Sequence, residues 1–161
     1  MSMEGQVNSK TEKYRERNKN INRGYRKLEV WKEAVELYTF VKKQIKINRD
    51  LSYKTKAQIE DSALSVSSNI AEGYCRRYLK ENIQFNTIAL GSLGENYSQI
   101  FNLLNAEEID EEWFDEYDKI HYSLENKLIK LNKTSIENLK SNYDWKNDYQ
   151  VRELIETYNA M

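Results

Sequence analysis

Apolar residues recur along this chain at spacings of three and four, and four stretches carry the pattern. In the first, Leu28, Trp31, Ala34, Tyr38, Val41 and Ile45 form one face of a helix from about Leu28 to Lys46. The stretch 48–53 breaks it. In the second, Ile59, Ala63, Val66, Ile70 and Tyr74 make the buried face. Ahead of them, Thr55-x-x-Gln58 has the spacing of a capping box, in which the Thr hydroxyl accepts the N3 amide and the Gln reaches back to the cap amide. The third helix runs from about Leu79 to Asn105, with Ile83, Ile88, Leu93, Ile100 and Leu104 as its expected core residues. The fourth carries Trp113, Tyr117, Ile120, Leu124, Leu128 and Leu131 on one face. Eight acids between Glu107 and Asp118 cluster where it begins, and carboxylates there complement the positive end of the helix dipole without any ligand.

Four amphipathic helices with short connections predict an all-α, antiparallel up-down four-helix bundle over residues 25–139. Composition agrees: a chain of 161 residues with no Pro and five Gly has little punctuation for strands and turns. Residues 1–24 are expected to be a flexible basic arm. The stretch 1–27 holds eight Lys or Arg against three Glu in a chain of net charge −1, so the rest is acidic. Such an arm suits nucleic acid but equally a solvated leader. Residues 140–161 are a C-terminal extension in which Val151, Leu154, Ile155 and Tyr158 sit at i, i+3, i+4 and i+7, the pattern of a short helix docked on the bundle or on another subunit. No run of 18 apolar residues and no apolar leader occurs, so a soluble, cytoplasmic protein with no membrane partner is expected. Cys75, the single cysteine, makes no intrachain disulfide.

Small and polar residues interrupt the second and third helices. Ser68-Asn69-Ile70-Ala71-Glu72-Gly73 and Ile88-Ala89-Leu90-Gly91-Ser92-Leu93 place them where a generic bundle would use Leu. They suggest close helix packing around a buried polar group. Asn69, Glu72, Ser92 and Glu95 are the candidates for a structural polar network that sets helix register; if the carboxylates are buried, Asn69, Ser92 or the Arg76 guanidinium must partner them. Gly91 and Gly94 each cost about 1 kcal/mol relative to Ala inside a helix. Close approach of a neighbouring backbone is the simplest reason for both, and a binding role the alternative.

Three blocks carry a resemblance: Leu28-Glu29-Val30-Trp31-Lys32-x-Ala34, Val66-x-Ser68-Asn69-Ile70-Ala71-Glu72-Gly73, and Ile88-Ala89-Leu90-Gly91-Ser92-Leu93-x-Glu95. In this order they resemble the four helix bundle protein family first noticed in open reading frames within intervening sequences of large-subunit ribosomal RNA genes. The likeness spans about residues 25–131. Its members are similar in fold to the accessory variability proteins of diversity-generating retroelements, which bind nucleic acid and a reverse transcriptase. The resemblance implies a non-enzymatic bundle that assembles into a ring-shaped homo-oligomer, typically a homopentamer. This chain departs from the family at Ser67, where Pro is usual, at Tyr78, where a capping Ser is usual, and at Gly94, where Ala is usual.

Candidate chemistry is sparse. A diiron bundle needs four carboxylates and two Glu-x-x-His pairs, whereas this chain has one His. Asp118-x-x-His121 has i, i+3 spacing and leaves a mononuclear metal site open, against the reading of His121 as a partly exposed structural residue. Arg76 and Arg77 beside Cys75 would lower its pKa without supplying a reaction. No catalytic residue, metal or cofactor is therefore assigned. The turn between the second and third helices gathers Tyr74, Arg76, Arg77, Tyr78 and Lys80. Repeated around a ring it would form a positive crown for phosphates with tyrosines to stack on bases, joined by Arg23 and Arg26 of the arm. The alternative is a solvated helix end where Arg complements the dipole. Two functions remain: an adaptor for structured RNA or DNA, beside a reverse transcriptase or another protein, or a protein-interaction or structural ring that binds no nucleic acid.

Overall fold

A computed structural model describes residues 9–76 and 78–141. Among the described residues every regular element is helical: α1 Ser9–Arg15, a 3-10 helix Ile21–Lys27, α2 Glu29–Ile47, α3 Tyr53–Cys75, α4 Leu79–Asn105 and α5 Glu111–Lys140. The long helices pack in chain order and α5 closes on α2, giving a helix bundle, while the 3-10 helix lies against α2 and α3. Residues 21–24, assigned above to the arm, belong to that 3-10 helix. The apolar segment 151–158 and Arg77 lie outside the described residues.

The bundle follows from where the apolar stripes point. From α2, Ala34, Leu37, Val41 and Ile45 are buried; from α3, Ile59, Ala63, Val66 and Ile70; from α5, Tyr117, Leu124 and Leu128. Each large aliphatic among them contributes about 1.5–3 kcal/mol by leaving water. The helix ends are set by side chains. Asn48 follows the last residue of α2, and its Oδ1 accepts the amides of Asp50 and Leu51 at 3.0 and 3.3 Å, turning the chain out of the helix. At α5, Asp110 caps the first turn by accepting the Trp113 amide at 2.7 Å, as the acidic cluster predicts.

Three local expectations change. The cap of α3 is Ser52, whose Oγ accepts the Thr55 amide at 3.1 Å, so Thr55 is the third helical residue rather than the cap. A chain read by apolar spacing starts the helix late because Tyr53 and Lys54 face water. Gly91 and Gly94 have open space where a Cβ would stand, so no backbone presses on them. The close approach belongs to Gly73, where a Cβ would lie 2.9 Å from the Phe85 Cβ and 3.3 Å from the Asn82 carbonyl oxygen. Finally, Ile88 is 44% exposed and the buried face of α4 runs Leu79, Asn82, Asn86, Ala89, Leu93, Asn96, Ile100 and Leu103, alternating three and four throughout. At its far end α4 closes with a paired Schellman arrangement, Glu107 amide to Leu104 carbonyl at 3.0 Å and Glu108 amide to Leu103 carbonyl at 2.9 Å. Glu107 holds φ 57° to make it.

Candidate functional site

Of the four residues expected to form a polar network, two are joined. Asn69 Nδ2 donates to the Ser65 carbonyl at 2.8 Å and to Ser65 Oγ at 2.9 Å, and Ser65 Oγ lies 2.8 Å from Ser92 Oγ on α4. Glu72 and Glu95 stand at the surface instead. Glu72 pairs with Arg76 one turn along α3, and Glu95 Oε1 accepts from Gln99 Nε2 at 3.2 Å. Ser67, in the place of the usual Pro, donates to the Leu64 carbonyl at 3.2 Å.

The deeper polar network joins Tyr117, which the apolar spacing picks out, to residues that such spacing passes over. The Tyr117 hydroxyl, fully buried, donates to Asn96 Oδ1 at 2.9 Å; Asn96 Nδ2 donates to Ser62 Oγ at 2.9 Å and to the Ile59 carbonyl at 3.2 Å. Ser62 Oγ in turn donates to Gln99 Oε1 at 2.7 Å. A continuous line of hydrogen bonds thus runs from buried Tyr117 through Asn96, Ser62 and Gln99 to the exposed Glu95 carboxylate. Burial pushes the Tyr117 phenol well above its ordinary range, with Tyr97 and Asp118 adding to the effect. His121, expected to be partly exposed, is buried against this cluster with Nε2 2.9 Å from the Leu93 carbonyl. A carbonyl only accepts, so Nε2 carries a proton and donates. Asn86 Nδ2 donates to Asn82 Oδ1 at 3.1 Å, and Asn132 Nδ2 to Thr87 Oγ1 at 3.1 Å, leaving Asn132 Oδ1 buried without a partner among the described residues. Admitting Asn to the buried set of α4 completes its heptad, the signal that would have found these positions.

The basic residues of the arm and of the α3–α4 turn come to the same end of the bundle. The Cys75 thiol donates to the Asn22 carbonyl at 3.2 Å, and the Tyr25 ring meets Tyr74 edge-on at 6.3 Å and Trp31 at 5.2 Å. Several of the cations there are already engaged. Arg76 pairs with Glu72, lies 3.9 Å from Glu81 and covers the Phe85 ring at 4.7 Å. Arg26 donates to the carbonyls of Tyr14 at 2.7 Å, Arg17 at 3.0 Å and Arg23 at 3.2 Å, and Arg23 to that of Asn18 at 3.3 Å. Lys80 and Tyr78 are exposed. Burial raises the phenol of Tyr74. It also raises the Cys75 thiol, with Glu72 adding to the effect, which reverses the lowering expected from the neighbouring arginines.

Among the described residues no three His, Cys, Asp or Glu side chains gather as a metal site, and no helix is long and apolar enough to cross a membrane. Shallow clefts between helices interrupt the surface of the described residues. One, of about 340 Å³, is polar and lies between α3 and α4 at Gln58, Asp61, Ser65 and Glu95. Another, of about 330 Å³, is apolar and lies between α4 and α5 at Leu90, Ile129 and Ile136.

Comparison with known proteins agrees with this architecture. No curated protein matches the chain. A solved structure, a protein of unknown function from the S23 ribosomal protein family of Bacteroides thetaiotaomicron, superimposes with a TM-score of 0.61 at 22% identity, covering 65% of this chain and 98% of the other, and shows a shared fold. The model of the 23S rRNA-intervening sequence protein family matches residues 26–130, which hold the three signature blocks and the buried polar line, and the chain belongs to that family.

Proposed function

We propose that this protein is a non-enzymatic, cytoplasmic adaptor, an up-down four-helix bundle that assembles with copies of itself into a ring and contacts structured RNA or DNA, beside a reverse transcriptase or another protein. The observation that carries the reading is the meeting of the basic 3-10 helix with the α3–α4 turn, which turns two basic stretches distant in sequence into one surface. The up-down course is supported by pairings that run in opposite senses along α3 and α4, Ser62 with Gln99 and Ser65 with Ser92. Assembly is supported by Ile129 and Ile136, exposed apolar residues that flank the α4–α5 groove. A protein-interaction ring without nucleic acid is the second reading, favoured by the internal engagement of Arg26 and Arg76.

Binding of labelled RNA to the full chain tests the choice. Affinity is expected to fall steeply with salt, and Arg23→Ala/Lys80→Ala to weaken it. No binding at low salt would overturn the adaptor in favour of the second reading. Light scattering gives the assembly: a mass of several chains that Ile129→Glu reduces is expected, and a monomer mass would sink the ring.

A further inference from the structure

The α2–α3 corner carries a second cationic surface, at residues that neither the arm nor the α3–α4 turn includes. Between residues 42 and 56 the chain has six Lys or Arg and a single carboxylate, Asp50. Lys42 is neutralised across the helix pair by Glu60. Among the described residues no ion pair is formed by Lys43, Lys46, Arg49, Lys54 or Lys56, in contrast to the engaged Arg76.

The Lys42–Glu60 contact fixes which residues adjoin. On α2, Lys46 lies one turn beyond Lys42; on α3, Lys56 lies one turn before Glu60, and Tyr53 a further three residues back on the same face. Because the chain reverses through residues 48–52, these two rows run side by side toward the corner. Tyr53 is 88% exposed, the most of any large hydrophobic side chain described, and Ile47 follows at 71%. An aromatic ring this bare has no packing role among the described residues. The corner beneath is held firmly: Leu51 is buried, Asn48 Oδ1 accepts two amides, and Asn48 Nδ2 donates to the Glu108 carbonyl at 2.8 Å. The acidic run that starts at Glu107 bounds the surface on that side.

We infer that this corner binds single-stranded nucleic acid, with Lys46, Lys56, Arg49 and Lys54 on successive phosphates and the Tyr53 ring stacked on an unpaired base. A row of cations without ion pairs among the described residues answers a polyanion, and an exposed ring at the corner answers an unstacked base, which a duplex does not offer. The inference rests on the nucleic-acid reading above but places contact at a different part of the chain, so the two fail separately.

Fluorescence anisotropy with a labelled 20-nucleotide single-stranded RNA and the matching duplex, between about 50 and 200 mM KCl, tests it on the full chain. The single strand is expected to bind more tightly than the duplex. Lys46→Ala/Lys56→Ala should lower the salt slope by about 1.4, two phosphate contacts at about 0.7 each. Tyr53→Ala should weaken binding by about 5- to 150-fold with the slope unchanged, and Tyr53→Phe should restore it. Of the three side chains tested Lys46 and Tyr53 are exposed and Lys56 is half-buried, and an unaltered thermal midpoint verifies the fold. Wild-type binding that these variants leave intact while Arg23→Ala/Lys80→Ala removes it would overturn the corner and keep the adaptor. Absence of wild-type binding to either RNA would overturn both. Binding of phosphatidylserine vesicles that depends on Tyr53, with RNA binding indifferent to it, would also overturn the inference, in favour of a membrane surface.

Discussion

Replacing Tyr117 by Phe isolates one oxygen atom at the centre of the bundle. The hydroxyl donates to Asn96 Oδ1 at 2.9 Å in a site with no exposure, and Asn96 Nδ2 is already committed to Ser62 Oγ and the Ile59 carbonyl. Without the hydroxyl, Asn96 Oδ1 stays buried and loses this donor, a cost of about 1–3 kcal/mol. At about 3 °C per kcal/mol for a chain of this length, the thermal midpoint falls by about 3–9 °C. A second signature comes from pH. The folded-state phenol is raised above the ordinary 10.0, so the stability it contributes is fully present below pH 10 and is lost as pH climbs from there toward the folded value. Only the unfolded chain ionises in that window. At pH 11 the wild type has lost about 1.4 kcal/mol from this group, which the Phe variant never had to lose, so the gap between the two narrows by that amount. Tyr74 and Tyr97, both also raised, titrate alike in the two proteins and cancel. Guanidinium unfolding at pH 8 and at pH 11 reads both effects. A cost below about 0.5 kcal/mol together with a gap indifferent to pH would refute the buried bond.

Other substitutions separate neighbouring roles. Gly91→Ala and Gly94→Ala should each stabilise by about 1 kcal/mol, whereas Gly73→Ala should destabilise by about 1–3 kcal/mol because its Cβ would press on Phe85 and the Asn82 backbone; calorimetry on the three gives the signs. Glu107→Gly relieves a left-handed backbone at the end of α4 and should raise the thermal midpoint, by up to about 1 kcal/mol of stability. Ser52→Ala should cost about 1 kcal/mol in urea unfolding while Gln58→Ala stays within about 0.5 kcal/mol, the reverse of what the Thr55-x-x-Gln58 pattern alone predicts.

Apolar spacing located α2, α3 and α5 to within a few residues, because Ala34, Val41, Ile70, Leu124 and Leu128 occupy the faces where burial is strongest. On α4 the same reasoning chose Ile88 and missed Asn82, Asn86 and Asn96. Asparagine scores as surface, and only a hydrogen-bond partner makes its burial tolerable; for Asn96 the partners are Tyr117 on α5 and Ser62 on α3, and for Asn86 it is Asn82 one turn back. Long-range partners are not legible in a local pattern. The glycines failed for a related reason: a Gly in a helix advertises missing volume but not which neighbour, if any, fills it, and Gly73 is filled while Gly91 and Gly94 are not. The basic turn was visible as composition and Arg76 as a candidate partner for Glu72, yet its contacts with Glu81 and Phe85 were not, since those two belong to the next helix. The α2–α3 corner escaped notice because its cations are spread over a helix end, a loop and a helix start.

The side chain of Asn48 joins two loops that are 60 residues apart, and this has a consequence for how the protein assembles itself in time. The α2–α3 and α4–α5 hairpins each form from nearby segments, but the bond to the Glu108 carbonyl exists only after they have docked. The amides of Asp50 and Leu51 are shielded by the same side chain. Their hydrogen exchange therefore times the docking of the two halves: slow exchange at these two loop amides, lost in Asn48→Ala while the helices stay protected, would mark the last step of folding and the first of opening.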